Sequence, residues 1–408
     1  MKEQAKSPFS ELAKQASLQP KEQLLEKQQH EHKLLIGIPK EITYQENRIP
    51  VTPASAKLLV SNGHEIVMET GAGKNANFSD SQFSESGVQI VYSKEDVYKA
   101  HVILKIDPPT KEEIDLMFPG QYLISAIQLT NLSELYIKQL IAKRVTAIAY
   151  EFLRDEENTV SIIRSMSEIA GCSAVLIGAE YLSNASGGKG EMLGGITGIP
   201  PTEVVIFGAG TVGEYAARSA YGLGATVKIF DNNITKLRRL QDNLGLKLFT
   251  SVLQPNIIQH ALCQADLAIG ALRNDNGRTP HIVSEAMVAT MKPGAVIVDV
   301  SIDQGGCFET SDITTHTNPV YLKHDVIHYC VPNIPSRFAR TASYALSNIF
   351  TPILIQIADS GGFSNYLWEN SNFRNGVYIY KGNLVNKHIG SRFNLKFKDI
   401  DLLIAANL

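Results

Sequence analysis

The stretch Val204-Val205-Ile206-Phe207-Gly208-Ala209-Gly210-Thr211-Val212-Gly213 decides how this chain is read. An apolar strand runs into G-x-G-x-x-G, and Glu214-Tyr215-Ala216-Ala217-Arg218 continues as a helix. Each glycine has a physical task in such a unit. Gly208 permits the tight turn, Gly210 lets a pyrophosphate approach the backbone, and Gly213 lets helix and strand pack closely. The helix N-terminus adds unpaired N–H groups and a positive dipole end. A second strand, Thr226-Val227-Lys228-Ile229-Phe230, ends at Asp231. That acid lies about twenty residues on, where a carboxylate accepts hydrogen bonds from a ribose diol. Strand, turn, helix, strand and acid together predict a dinucleotide site. Asp231 favours NAD over NADP, because a 2′-phosphate would meet like charge there. Lys236, Arg238 and Arg239 follow, and read either as cations that soften that repulsion or, more plainly, as a solvated helix face.

The 408 residues exceed what one typical domain needs, so two domains are expected. With 44% hydrophobic residues, 19% charged residues and a net charge of −3, the composition is that of a soluble globular protein. That balance leaves no basic footprint for nucleic acid. Apolar stretches such as 349–358 are too short or interrupted to span a bilayer. The N-terminus is rich in Lys, Glu and Gln and has no apolar signal core. Cys172, Cys263, Cys307 and Cys330 lie far apart without metal-ligand spacing, and are expected to be buried, reduced thiols. A cytoplasmic enzyme without nucleic-acid, membrane or metal partners is the expectation.

Around the dinucleotide unit the chain organises itself by strand and turn signals. Residues 1–33 read as a polar arm. From Leu34-Leu35-Ile36-Gly37-Ile38 onward, apolar strands alternate with helical segments: 65–69, 102–106, 122–126 and 146–150 in a first region, then 266–270 and 295–300 in the second. Residues 53–62 read as a helix closed by Gly63. Residues 161–184 read as a long helix bridging the two regions, and 332–343 as the return crossing. The fold class predicted is α/β, with two doubly wound Rossmann-like domains and a cleft between them. The division expected is an arm at 1–33, a substrate domain beginning at 34–160, an NAD-binding domain at 161–340, and 341–408 returning to the substrate domain and ending as a tail.

Several segments resemble the alanine dehydrogenase and transhydrogenase α-subunit family. Ile36-Gly37-Ile38-Pro39-Lys40-Glu41 with Glu46-Asn47-Arg48-Ile49-Pro50-Val51-Thr52-Pro53 is similar to that family's opening signature, and Met166-Ser167-Glu168-Ile169-Ala170-Gly171 to its hinge motif. Ser301-Ile302-Asp303-Gln304-Gly305-Gly306-Cys307-Phe308-Glu309, Tyr329-Cys330-Val331-Pro332-Asn333 and Tyr344-Ala345-Leu346-Ser347-Asn348 look more like alanine dehydrogenase than transhydrogenase. The likeness covers about residues 34–365 and leaves the arm and the tail from 373 aside. It implies NAD-dependent, reversible oxidative deamination of L-alanine to pyruvate and ammonia, in a homo-oligomer that is often a hexamer.

The resemblance also assigns roles. Arg48 matches the family's carboxylate-binding arginine, a task suited to a bidentate guanidinium; the plainer reading is a surface salt bridge with Glu46. Asp303 matches the acid beside the nicotinamide, and lies just past a predicted strand end, where open α/β sheets place ligands. Ser167, Ala271 and Asn333 fall where the family contacts the cofactor, although Ser167 also reads as a helix N-cap.

Two positions depart from the pattern. Within Lys105-Ile106-Asp107-Pro108-Pro109, Asp107 stands where the family carries a second substrate-binding lysine. Gln128 stands where it carries a catalytic histidine, and glutamine cannot shuttle a proton near neutral pH. Lys105 and Asp107, two apart on one strand face, are expected to pair at the cleft edge. His324 or His328, on a strand-like segment, offers an imidazole, although a lone histidine in a strand is more often structural. The alternatives to alanine dehydrogenase are a related amino-acid dehydrogenase with altered substrate, and an NAD(H)-binding subunit without independent turnover.

Overall fold

Short apolar runs bounded by Gly, Pro and polar turns assemble into two sheets in a computed structural model that describes residues 32–274 and 278–406. The polar arm expected at 1–33 lies almost wholly outside the described residues.

The first sheet contains β1 (Leu35–Ile38), β2 (Glu65–Glu69), β3 (Gln89–Val91), β4 (Val102–Leu104), β5 (Tyr122–Ser125) and β6 (Thr146–Ala149). The second contains β7 (Glu203–Phe207), β8 (Thr226–Phe230), β9 (Phe249–Ser251), β10 (Leu267–Gly270), β11 (Val296–Asp299), β12 (Val320–Lys323) and β13 (Val326–Tyr329). The tail then supplies β14 (Val377–Tyr380) and β15 (Asn383–Leu384) to the first sheet. The eight-stranded order is β15-β14-β6-β5-β4-β1-β2-β3, and the seven-stranded order is β12-β13-β11-β10-β7-β8-β9. Pairing is parallel except at β14–β6, β14–β15 and β12–β13.

Each sheet therefore runs outward from its first strand in one direction and then reverses. The reversal falls between β1 and β4 in the first sheet and between β7 and β10 in the second. At such switch points the loops leaving adjacent strands part, and a crevice opens at the carboxyl ends. The central strands β4, β6, β10, β11 and β13 are buried at every residue, as strands covered on both faces must be.

Two long helices join the halves. Ser161–Leu182 packs along Thr211–Gly222, the helix that follows the glycine turn, and Ala339–Asp359 packs against Ser161–Leu182 and Pro53–Ser61. Ser161–Leu182 has the length and apolarity of a membrane span, yet ten of its residues are buried inside the protein. Ser167 lies within this helix, so the N-cap reading is set aside. Cys307 and Cys330 are buried as expected, whereas Cys172 is only partly covered and Cys263 is exposed.

Candidate active site

The second sheet builds a dinucleotide cradle at its switch point. Gly208 sits at φ +118°, and a Cβ there would meet the Ala271 carbonyl oxygen at 2.4 Å. A Cβ on Gly213 would lie 1.8 Å from the Gly208 oxygen, whereas one on Gly210 would meet no protein atom within 4 Å. The first and third glycines thus serve packing, and the middle one faces open space. Asp231 ends β8 beside this loop. Its Oδ2 accepts the Ala209 N–H (2.8 Å) and its Oδ1 accepts the Asn233 N–H (2.8 Å). The carboxylate therefore holds the glycine turn, and it keeps lone pairs for a further donor.

Below the cradle a cavity of about 290 Å3 is lined by Met166, Ser167, Val212, Ala271, Ser301, Asp303 and Asn333, among others. Its walls come from the Ser161–Leu182 helix and from the loops after β10, β11 and β13. Asp303 follows β11 in a 3-10 turn and keeps an exposed surface. Protein atoms nonetheless crowd its carboxyl, and burial pushes its pKa up to about 6 against the Asn333 N–H and the charge of Arg48. Asn333 adopts φ 57°, and its Nδ2 donates to Glu46 Oε2 at 2.9 Å.

Across from this wall the first sheet presents its own switch-point loops. Arg48 is buried, not superficial. Its Nε donates to Glu46 Oε1 at 2.7 Å, its second guanidinium nitrogen to Glu46 Oε2, and its third reaches Met166 Sδ at 3.5 Å. The plain reading of an Arg48–Glu46 bridge was right about the partners and wrong about the surface. Burial works against both charges, but the pairing wins: Glu46 is held below the usual carboxylate range and Arg48 above the usual guanidinium one. The loop is pinned to the return crossing. Ser336 Oγ accepts the Asn47 N–H (2.8 Å), Ser343 Oγ that of Ile49 (2.9 Å), and Ser347 Oγ that of Thr52 (3.0 Å).

The expected Lys105–Asp107 pair does not form. Lys105 is buried, and its Nζ donates to Glu41 Oε2 (3.1 Å) and Glu113 Oε1 (3.0 Å). Asp107 Oδ1 instead accepts from Gln128 Nε2 at 2.9 Å. The two departures from the family pattern are thus hydrogen-bonded to each other. Burial, and then the charge of Glu46, raise the Asp107 pKa above the usual range. Gln128 adopts φ 47°, and Glu151 holds its loop by accepting the Ile127 (2.5 Å) and Gln128 (3.2 Å) N–H groups.

Neither histidine offered as a substitute base reaches this place. His328 is buried in β13 between Thr310 Oγ1 (2.8 Å) and the Val326 carbonyl (3.0 Å), and His324 sits on an exposed turn beside Glu285. Sequence reasoning passed over Glu151 and Ser336. Only the strand end preceding Glu151 offered a signal, and Ser336 offered none.

Two domain descriptions match the chain in tandem: Alanine dehydrogenase/PNT, N-terminal domain, over residues 37–170, and Alanine dehydrogenase/PNT, C-terminal domain, over 174–387. The chain belongs to the alanine dehydrogenase/PNT family. Family members similar to it include the alanine dehydrogenase of Methanococcus maripaludis, 40% identical over 366 residues that cover 89% of this chain and 98% of that one. The alanine dehydrogenase of Mycolicibacterium smegmatis is 38% identical over 373 residues, 91% of this chain and all (100%) of that one. A solved L-alanine dehydrogenase superposes with a TM-score of 0.82 at 37% identity, covering 88% of this chain and 99% of that one. That match spans both halves of the fold, so the two-sheet architecture of this chain is that of the family.

Proposed function

We propose that this chain is an NAD-dependent amino-acid dehydrogenase that converts L-alanine reversibly to pyruvate and ammonia. The observation that carries the reading is that one cavity has Asp303 on its wall and, through Met166, the Arg48 guanidinium at its edge. The names of the relatives, matched along nearly their whole length, support the same reaction.

The glycine turn fits NAD, since Gly210 leaves open exactly the face at which a side chain would obstruct a pyrophosphate. Gly208, Gly210, Gly213 and Asp231 would hold the dinucleotide, with Ser167, Ala271 and Asn333 around its nicotinamide end. When bound, NAD supplies the hydride acceptor. Arg48 grips the substrate carboxylate with the N–H groups that Glu46 leaves unused. Asp303, with a pKa of about 6, is largely ionised at neutral pH; it takes a proton from the water that adds to the imine carbon and returns it to the nitrogen as the C–N bond breaks.

The domain division proposed is a substrate domain of residues 34–160 with 341–408, and an NAD-binding domain of residues 161–340. The family likeness supports a cytoplasmic homo-oligomer as the working form. The deciding experiment follows NADH formation by purified protein with NAD and a panel of amino acids at alkaline pH. Alanine-dependent NADH formation is expected. Tight NADH binding without turnover of any amino acid would reject the enzymatic reading.

A further inference from the structure

Beyond Arg48, the substrate end of the cleft has the wrong polarity for a second carboxylate ligand. Lys105, the one lysine of that segment, is held in a buried triad with Glu41 and Glu113. The positive charge of Arg48 is matched by the two oxygens of Glu46. Asp107 stands beside this pair, only 4% exposed, with Oδ1 fixed by Gln128 Nε2 at 2.9 Å. The Thr43 hydroxyl is a further donor to it. A carboxylate has about four acceptor positions, so Asp107 retains capacity after these two contacts. A buried carboxylate that already faces Glu46 repels another anion, and gains most from a cationic N–H donor. Gln128 favours the same outcome, because its amide N–H groups hold Asp107 without neutralising it.

We propose that Asp107, oriented by Gln128, is the subsite for the substrate's amino group, so that the cleft selects the amine-bearing acid over its deaminated counterparts. Arg48 alone then holds the carboxylate. The inference rests on the amino-acid dehydrogenase reading above, and it makes Asp107 a specificity-determining residue of that site.

Equilibrium binding to the enzyme–NADH complex, read from NADH fluorescence, tests it without requiring turnover. The ligands are L-alanine, propanoate (the same carboxylate without the amine) and pyruvate. Wild-type protein should bind alanine at least about tenfold more tightly than either of the others, the scale of one charge-assisted hydrogen bond. Asp107→Asn should remove most of that preference while propanoate binding holds or improves. Gln128→Ala should erode the preference without removing the carboxylate, and it serves as the second variant if the first does not fold. Equal affinity of wild-type protein for all three ligands would overturn the proposal, as would an equal loss for all three in Asp107→Asn. Failure of all three ligands to bind a complex that still holds NADH would overturn the Arg48 assignment as well. Failure to bind NADH at all would fall on the dehydrogenase reading itself.

Discussion

Gly210 and Gly213 stand three residues apart in one turn and answer to different constraints. A methyl group on Gly213 would collide with the Gly208 carbonyl at 1.8 Å, and backbone cannot step aside cheaply. Gly213→Ala should therefore lower stability by about 1–3 kcal/mol, the usual cost of overpacking, and weaken NADH binding with it. Gly210→Ala meets no atom of the protein, so its melting temperature should stay put while the NADH dissociation constant rises about tenfold or more. Thermal melts and fluorescence titrations of the two variants check this; equal effects on both properties would contradict it. Asp303 carries a pH signature. Burial raises its pKa from the ordinary 3.8 to about 6, so the folded state holds this proton more tightly than the unfolded one. Its contribution to stability is then full below about pH 4 and is lost as pH rises through 6. Asp303→Asn, neutral throughout, should melt higher than wild type above pH 7, with the gap closing toward pH 4. Turnover should be abolished in the same variant. The glycines were legible in sequence because their spacing is a local signal, and Asp303 because of the family resemblance together with its place past a strand end. Lys105 was not, because its partners Glu41 and Glu113 lie 64 and 8 residues away and only the folded sheet brings them to one ammonium.

Among elements, the end of β4 shows how a buried charge can serve structure instead of chemistry. Lys105 continues the pairing of that strand through its N–H to the Ile124 carbonyl, while Nζ ties the loop after β1 to the Lys111–Leu116 helix. Glu41 in turn accepts the Ile106 N–H at 2.6 Å, and burial pushes its pKa up to about 7 despite Lys105. Lys105→Met would leave Glu41 and Glu113 buried without their cation. The expected loss is about 3–5 kcal/mol in urea denaturation, the range for breaking one side of a buried ion pair. A change within error would mean that the triad is easily replaced. The strands of the two sheet centres were readable as apolar runs, because a strand covered on both faces has to be apolar at every position. β3 and β9 escaped, being three-residue edge strands with mixed exposure. β14 is a plain apolar run, but its antiparallel seat against β6 depends on residues more than two hundred positions away and left no local trace.

For the whole molecule, each sheet has its own switch point, and the cavity opens at that of the second, with Arg48 of the first reaching its edge through Met166. The return crossing and the helix that follows it fix the relation of the two sheets, because Asn333 touches Asp303 through its N–H while Ser336, Ser343 and Ser347 carry the loop of Arg48. Sequence motifs indicated a cleft with Arg48 and Asp303 on facing walls. They did not show that Asp107 and Gln128, the two departures, answer each other across 21 residues. Hydride transfer between substrate and cofactor at this cavity is read by following an isotope. Protein incubated with NAD and L-alanine deuterated at the α-carbon should yield NADH carrying the deuterium on its nicotinamide ring, seen by mass spectrometry. NADH without the label, or a protein that binds NADH and transfers nothing from any amino acid, would contradict the account.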